Sequence, residues 1–500
     1  MKKSILSLAL ATLLGSGLSS VAAAETQETY ENSTIKDYDP YSIVKKDGTY
    51  WVWGRDHAVP TQLPALTEVE QMYPGGFFTK KDHTVWMWEK ESYFSVKAKV
   101  YPVTRLSNLI GVFANYHGDM LALDSNGTVY RIPKEDNKPQ LDQIAPLIGI
   151  ENVVDINPYY ENYENIEKRG EWRWTFLKSD GTVWKDSNSL TSFDPIQSLE
   201  HVVSLDYNLA LKSDGTVWTW PTILTDEESS TGQWIPTQVM GLENISKING
   251  RLAIDSESRL WFWGSTITGF SDGTMTHEVG APMLLTSINN VKEAYLVERS
   301  LIVRTKDDKV YEASIERERM PTDPEFKHIA SDVSEIKAGN RFIIMRKKNG
   351  TLWGWGVNKN HDLGYGDNEF MHSVPVPVQK PISISLNGEQ VVMNNGVVVR
   401  NEQVFVPLRS IFEKLGATIK WDNTDKIVTI TREAEGDKPA ITILVNYREG
   451  MTEINGIKSV NNPFNNVGGT SYLPLRLISE SLGAKVHWIQ KEDKISITMN

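Results

Sequence analysis

The chain contains no cysteine. No disulfide can brace the fold, no thiol can act as nucleophile or metal ligand, and no lipid can be attached through cysteine. Histidine is scarce. The nine residues His57, His83, His117, His201, His277, His328, His361, His372 and His487 include no two spaced as paired ligands on one strand or helix. A copper centre needs clustered imidazoles, so scattered surface or turn histidines are expected. There is no Gly-x-Ser-x-Gly elbow, and no glycine-rich phosphate loop precedes a helix. Beyond the first residues no apolar run is long enough to cross a bilayer. Positive charge is in deficit: 52 Lys and Arg face 64 Asp and Glu, a net charge of −12. An acidic chain repels phosphate backbones, so nucleic acid is not an expected partner. These absences leave no catalytic, metal or cofactor-binding residue to assign, and no cofactor is expected.

The sequence opens with Lys2 and Lys3, an apolar stretch from Ile5 to Leu14, and Ala22-Ala23-Ala24. That is the pattern of a secretory signal peptide over residues 1–24, with cleavage after Ala24. Cleavage removes two lysines and no acid, taking the net charge from −12 to −14. The apolar stretch is too short to remain as a membrane anchor. A secreted or cell-wall-associated bacterial protein, with no membrane insertion after cleavage, is the expectation.

The rest is dominated by one recurring stretch, clearest in Leu209-Ala-Leu-Lys-Ser-Asp-Gly-Thr-Val-Trp-Thr-Trp220. Asp-Gly between two alternating runs signals a β-hairpin with a tight two-residue turn. That register sets Leu211 opposite Trp218 and Leu209 opposite Trp220, with these pairs on one face. Related hairpins carry their first aromatic at Trp51, Trp86, Tyr130, Trp184, Trp218, Trp261, Tyr311 and Trp353, 34 to 54 residues apart. Short apolar runs upstream, such as Val202–Leu205 and Ile245–Ile248, supply a further strand to each unit. Strand-rich repeats of this length suit small radial sheets about an axis, a β-propeller, better than a linear β-solenoid, whose repeats are shorter. Trp353 falls opposite Arg346 in the expected register and is read as an ordinary packing pair.

The eighth copy extends the pattern from Ile336-Lys-Ala-Gly through Asn349-Gly350 and Trp353-Gly-Trp-Gly356 to Asn358 and Leu363-Gly-Tyr-Gly-Asp367. This segment resembles the RCC1-type (regulator of chromosome condensation) repeat almost end to end. The other copies keep the hairpin and parts of the tail. The resemblance implies a β-propeller over residues 25–378. The family usually has seven blades, whereas eight hairpins occur here, so seven or eight blades are expected.

Near Pro375-Val-Pro-Val-Gln-Lys-Pro381 the pattern changes, and the prolines mark a linker. Beyond it lies a second duplication. Val404-Phe-Val-Pro-Leu-Arg…Leu-Gly-Ala…Trp421 recurs as Ser471-Tyr-Leu-Pro-Leu-Arg…Leu-Gly-Ala…Trp488, with Pro407 and Pro474 67 residues apart. Each half is expected to hold a short helix. Leu408, Ile411, Phe412 and Leu415 form an apolar stripe, and Gly416 a left-handed cap; Pro474, Leu475, Ile478, Leu482 and Gly483 repeat the pattern. Arg409 and Arg476 are read as structural partners of a carboxylate or carbonyl. The tandem resembles the copper amine oxidase N-terminal-like, or stalk, domain. That resemblance implies a non-catalytic appendage over residues 379–500, because the oxidase's copper histidines and tyrosine-derived cofactor belong to another domain. The fold class is therefore mainly β: a propeller plus a small C-terminal α+β tandem domain.

One insertion breaks the repeat. Asn157-Pro-Tyr-Tyr-Glu-Asn-Tyr163 runs on to Arg169-Gly-Glu-Trp-Arg-Trp174 within the longest gap between hairpins. Tyrosines on a polar loop offer rigid amphipathic surface for a protein or glycan, so Tyr159, Tyr160 and Tyr163 are the candidate ligand contacts. The expected function is non-enzymatic binding of a protein or cell-wall glycan by propeller loops, with the stalk-type module as spacer or wall appendage. The alternative is a secreted hydrolase with a carboxylate pair on the propeller.

Overall fold

The computed structural model describes residues 33–499 apart from 93–94, 166, 188, 226, 229–233, 270–272, 409, 435–438 and 460–466. The signal peptide expected at 1–24 lies outside the described residues, as does Arg409. Strands dominate. Eight small antiparallel sheets follow one another among the described residues, spanning 35–62, 69–102, 109–146, 153–195, 202–238, 245–285, 291–330 and 333–377. Each has four strands, except that the fourth gains a short parallel strand, Ile223–Leu224. Among the described residues each of the eight hairpins has its own sheet, which gives eight sheets there.

The chain forms two compact units. Residues 70–87 and 101–333 belong to one, and residues 33–69, 88–100 and 334–499 to the other. Within the first, each interior sheet is apolar on both faces. Met120 and Ala122 share a core with Phe77 and Met87, whereas Leu121 and Leu123 share one with Trp174 and Phe176. Within the second, Tyr38, Ile43, Trp51 and Trp53 of the first sheet share a core with Phe342, Ile344 and Leu352 of the eighth. First and last repeats packed together are what a propeller requires. A solenoid would leave them at opposite ends.

The hairpin register differs from the expectation by one residue. Leu209 opposes Thr219, Ala210 opposes Trp218 and Leu211 opposes Val217. Lys212 N–H donates to Thr216 O at 2.9 Å and Gly215 N–H to Lys212 O at 3.0 Å. The loop is thus three residues with glycine at positive φ (83°), the turn-plus-bulge alternative to the two-residue hairpin. A one-residue slip moves side chains between faces. Leu209, Leu211 and Val217 pack with the sixth sheet, and Ala210, Trp218 and Trp220 with the fourth.

The Asp-Gly-Thr-x-Trp spacing has a physical cause. Asp214 Oδ1 accepts the Thr216 N–H at 2.9 Å and its hydroxyl at 2.7 Å, and Thr216 Oγ1 accepts Trp218 Nε1–H at 3.1 Å. The hydroxyl and then the backbone bond from Thr216 hold the Asp214 carboxyl below its usual range. The same relay joins Asp47, Thr49 and Trp51; Asp82, Thr84 and Trp86; Asp180, Thr182 and Trp184; and Asn349, Thr351 and Trp353. A lysine lies over each ring, from 4.2 Å for Lys80 and Lys212 to 5.9 Å for Lys45. Trp353 therefore carries Lys347 and opposes Met345; Arg346 stacks on Tyr38 instead.

Neighbouring repeats are joined by backbone. The turn carbonyls of Gly48, Gly127, Gly181, Gly215, Ser258 and Asp308 each accept the N–H of the first residue of the next sheet: Val69, Val153, Val202, Ile245, Val291 and Val333. A Cβ on Gly215 would come within 2.9 Å of Asn244 Cα, so glycine serves this close approach as well as the turn. One position of the first strand reaches across too. Tyr73 donates to Leu109 O, Asn157 bonds both backbone groups of Tyr207, Asp206 accepts from Gly250, and Asn249 donates to Ala294 O.

The C-terminal module is built around its duplication. Gln403–Pro407 pairs antiparallel with Tyr472–Pro474, placing Val406 opposite Leu473, its own equivalent in the other copy. Ser383–Leu386 runs parallel to Lys494–Met499, so the module's start and finish share a sheet. Leu475–Ser481 is the expected helix of the second half. In the first half the stripe is buried, but residues 410–416 form successive turns rather than an α-helix. Leu415 N–H is shared between Ile411 O and Phe412 O, and Ala417 N–H closes on Phe412 O. Arg476 is largely exposed and lies 3.6 Å from Glu480. Pro375 and Pro377, expected in a linker, lie on the outer edge strand of the eighth sheet, where no ladder donor is needed.

The module sits directly on the first sheet. Ala58 and Val59 share a core with Val398, Phe405, Val467 and Tyr472. Gly396 N–H donates to Thr61 Oγ1 at 2.8 Å. The tail of the eighth repeat meets the module as well: Arg400 stacks on Tyr365 at 3.8 Å and donates to its carbonyl. His57, 1% exposed, lies against Asn394 O at 3.1 Å, and its Nε2 has no partner among the described residues. Burial, then the Lys90 charge, lowers its pKa to about 4. A depressed histidine stabilises the fold fully above its unfolded pKa, and that stability is lost as pH falls toward the folded value. Between about pH 6.5 and 4 the chain is expected to lose about 3 kcal/mol, and His57→Gln to lose less over the same window. Urea unfolding against pH measures this; equal slopes for both proteins would refute it.

Candidate functional site

The Tyr-rich insertion is a strand extension rather than a loop. Val153–Tyr163 pairs with Glu171–Lys178 as a long hairpin of the fourth sheet. Alternation then separates the tyrosines. Tyr159, opposite Arg173, is 0% exposed and meets Trp220 and Trp234 edge-on at 5.9 and 6.4 Å. Its hydroxyl donates to Glu161 Oε2 at 3.1 Å. Burial first, then the Glu161 charge, raises its pKa well above the ordinary value. Tyr159 is therefore a core residue with no exposed surface. Tyr163 is half-buried on the same face, and its hydroxyl donates to Glu161 Oε1 at 3.3 Å. Arg173 Nε donates to that oxygen at 3.3 Å. This buried carboxylate, bound by two phenols and a guanidinium, anchors the extension.

Tyr160 faces the other way. It opposes Trp172, with ring centroids 5.5 Å apart at 60°. A Cβ on Gly170 would fall 2.5 Å from the Tyr160 hydroxyl, so the turn leaves room for that ring. Trp172 meets His117 at 6.4 Å, and His117 meets Tyr116 at 6.4 Å. Tyr116 is 87% exposed. It projects from the turn joining the first two strands of the third sheet. Asn115 fixes that turn: its Oδ1 accepts Asp119 N–H at 2.9 Å and its Nδ2 donates to Asp119 Oδ2 at 3.0 Å. Lys134 Nζ donates to Gly118 O from below.

The result is a row, Tyr116–His117–Trp172–Tyr160, on adjacent sheets of one unit. Large amphipathic rings held by hydrogen-bonded turns bind with little ordering cost. Of the three tyrosines expected to contact ligand, only Tyr160 belongs to the row. Trp172 lies in the stretch singled out from sequence. Tyr116 and His117 were missed, since a Tyr-His pair in a five-residue turn carries no repeat or composition signal.

A cavity of about 210 Å³ between the sixth and seventh sheets contains one carboxylate among its lining residues, Glu293, bound to Arg304 at 2.8 Å. A glycosidase site needs two facing carboxylates. Among the described residues no three His, Cys, Asp or Glu side chains gather as a metal site. No helix among them is long and apolar enough to cross a membrane.

Residues 385–497 match the family model of the copper amine oxidase N-terminal domain. Among solved structures, the chain is similar to Prp20p from Saccharomyces cerevisiae, described with its binding properties to Gsp1p and histones. The two are 14% identical over 71% of this chain and 89% of that one, with a TM-score of 0.39. It is also similar to human WBSCR16, at 15% identity over 67% and 94% with a TM-score of 0.39. No curated protein matches the chain significantly.

Proposed function

We propose that this is an exported, non-enzymatic binding protein that holds a protein or cell-wall glycan against the aromatic row, with the C-terminal module as its wall-side appendage. The observation that carries this reading is Tyr116, an 87% exposed ring on a turn locked by Asn115 and continued by three further rings. Exposed rings of this kind act as anchors when a partner excludes water from them. Two carboxylates on the elements that carry the row serve structure: Asp119 closes a turn, and Glu171 lies 3.0 Å from Arg173. The sequence pattern of a signal peptide and the absence of cysteine support export.

The test is retention of the mature protein on isolated cell walls and capture of proteins from culture medium. Tyr116→Ala, Tyr160→Ala and Trp172→Ala together are expected to weaken binding at least tenfold, because each anchor contributes about 1–2 kcal/mol. Tyr159→Ala is the contrast, since it lowers stability instead. Retention unchanged in the triple variant would sink the proposal.

A further inference from the structure

The seventh sheet departs from the repeat at one buried position. The joints between sheets align the copies: the N–H groups of Val69, Val153, Val202, Ile245, Val291 and Val333 each take the preceding turn carbonyl. Three residues on from these stand Met72, Ile156, Leu205, Ile248, Ala294 and Ile336. Ile156 shares a core with Leu121 and Leu123 of the sheet before it, and Ile248 packs with Leu209 and Leu211. Ala294 meets Leu252 and Ile254 in the same way, but with a single methyl group. The cavity of about 210 Å³ lies there, with Leu252, Ile254 and Ala294, all buried, in its lining. A branched side chain present at most joints is replaced here by a recess.

The two sides of the recess differ in chemistry. Its buried side is aliphatic and offers water no partner. Its other side carries exposed Lys247 and half-buried Glu293 and Tyr295. Lys247 Nζ donates to Lys292 O at 3.0 Å and Asn249 Nδ2 to Ala294 O at 2.8 Å, which pins the first strands of the two sheets to each other. A recess with fixed walls binds at little ordering cost. Glu293 accepts from the Arg304 guanidinium at 2.8 and 3.1 Å and from the Tyr295 hydroxyl at 3.3 Å. Paired with Arg304 it is ionised and accepts only. A carboxylate takes about four hydrogen bonds, and the Glu293 side chain is 29% exposed. A guest therefore needs an apolar body and a donor at one end. A void of about 150 Å³ already takes benzene, so this volume suits a single ring system.

We propose that this recess binds a free small aromatic molecule of phenol or indole size, its ring against Leu252, Ile254 and Ala294 and its hydroxyl or ring N–H on Glu293. The site is independent of the aromatic row. Calorimetric titration of the full mature chain with p-cresol, indole and toluene tests it. p-Cresol and indole are expected to bind, and toluene, which lacks the donor, to bind about fivefold more weakly than p-cresol. N-Acetyltyrosinamide, the same ring held by a peptide, is expected to bind no more tightly than p-cresol; tighter binding would assign the recess to a partner's side chain and overturn the free ligand. Ala294→Ile restores the residue of the sixth and eighth sheets. It is expected to fill the recess, to weaken p-cresol binding about tenfold or more, and to melt no lower than the wild type. Ala294→Val is the second filling variant, with a smaller loss expected, and it carries the test where the isoleucine fails to fold. No binding of any probe, toluene binding equal to that of p-cresol, or unchanged binding in a folded filling variant would each overturn the proposal. The aromatic-row variant is expected to bind these probes normally, which separates this test from the earlier one.

Discussion

Replacing Gly396 with valine is expected to loosen the C-terminal module from the first sheet, at a cost of about 4 kcal/mol, the upper end for overpacking. A Cβ at this position would lie 1.9 Å from Pro60 O and 2.9 Å from Pro60 C. The obstacle is backbone, so no side-chain rotation relieves it. The surrounding bonds leave little slack: Gly396 N–H is bound to Thr61 Oγ1, and Tyr472 OH donates to Gly396 O at 3.2 Å. Relief requires separating the Val398–Phe405–Tyr472 surface from Ala58 and Val59. The variant should show an earlier separate unfolding step and faster proteolysis around residues 378–382. Wild-type melting and proteolysis would show that the seating is not tight.

The second large effect separates two tryptophans that look alike in sequence. Trp220→Ala is expected to cost about 4 kcal/mol, in the range for deleting a fully buried aromatic. Trp220 is 1% exposed, stacks on Trp234 at 5.7 Å and 10°, and receives the edge of Tyr159 at 5.9 Å. Trp218→Ala is expected to cost about 1–2 kcal/mol. Its ring is half-buried, sandwiched beneath Lys212, with its indole N–H bound to Thr216. Chemical denaturation of both variants measures the ratio. Equal losses would mean that the first tryptophan packs as deeply as the second.

That pair shows how far the pattern reaches. The recurrence of Asp-Gly-Thr-Val-Trp was enough to find the strands and the repeats, while seven or eight blades both fitted it. It was not enough to place side chains. The two-residue turn is the commoner hairpin solution for Asp-Gly, but Thr216 bonds Asp214 and lengthens the loop by one, which turns every residue over. The error was hidden because both faces of a blade are buried, so either register buries leucine and tryptophan. The Tyr-rich insertion behaves the same way. Its composition located the neighbourhood of the aromatic row, while alternation along an unanticipated strand sent Tyr159 and Tyr163 to one side and Tyr160 to the other. Tyr116 joins Tyr160 across 44 residues of chain, through the packing of two sheets. No local signal records such a meeting.

The sequence by itself determined the repeat unit, the second duplication and the lack of cysteine. Each follows from local rules: turn preference, alternation, and which side chains are present at all. The tertiary structure decided which aromatic is core and which is surface, what Gly396 and the Leu363–Asp367 tail are for, and what Ala294 leaves open between the sixth and seventh sheets. Those outcomes depend on pairs distant in the chain, and their energies come from which surfaces exclude water together.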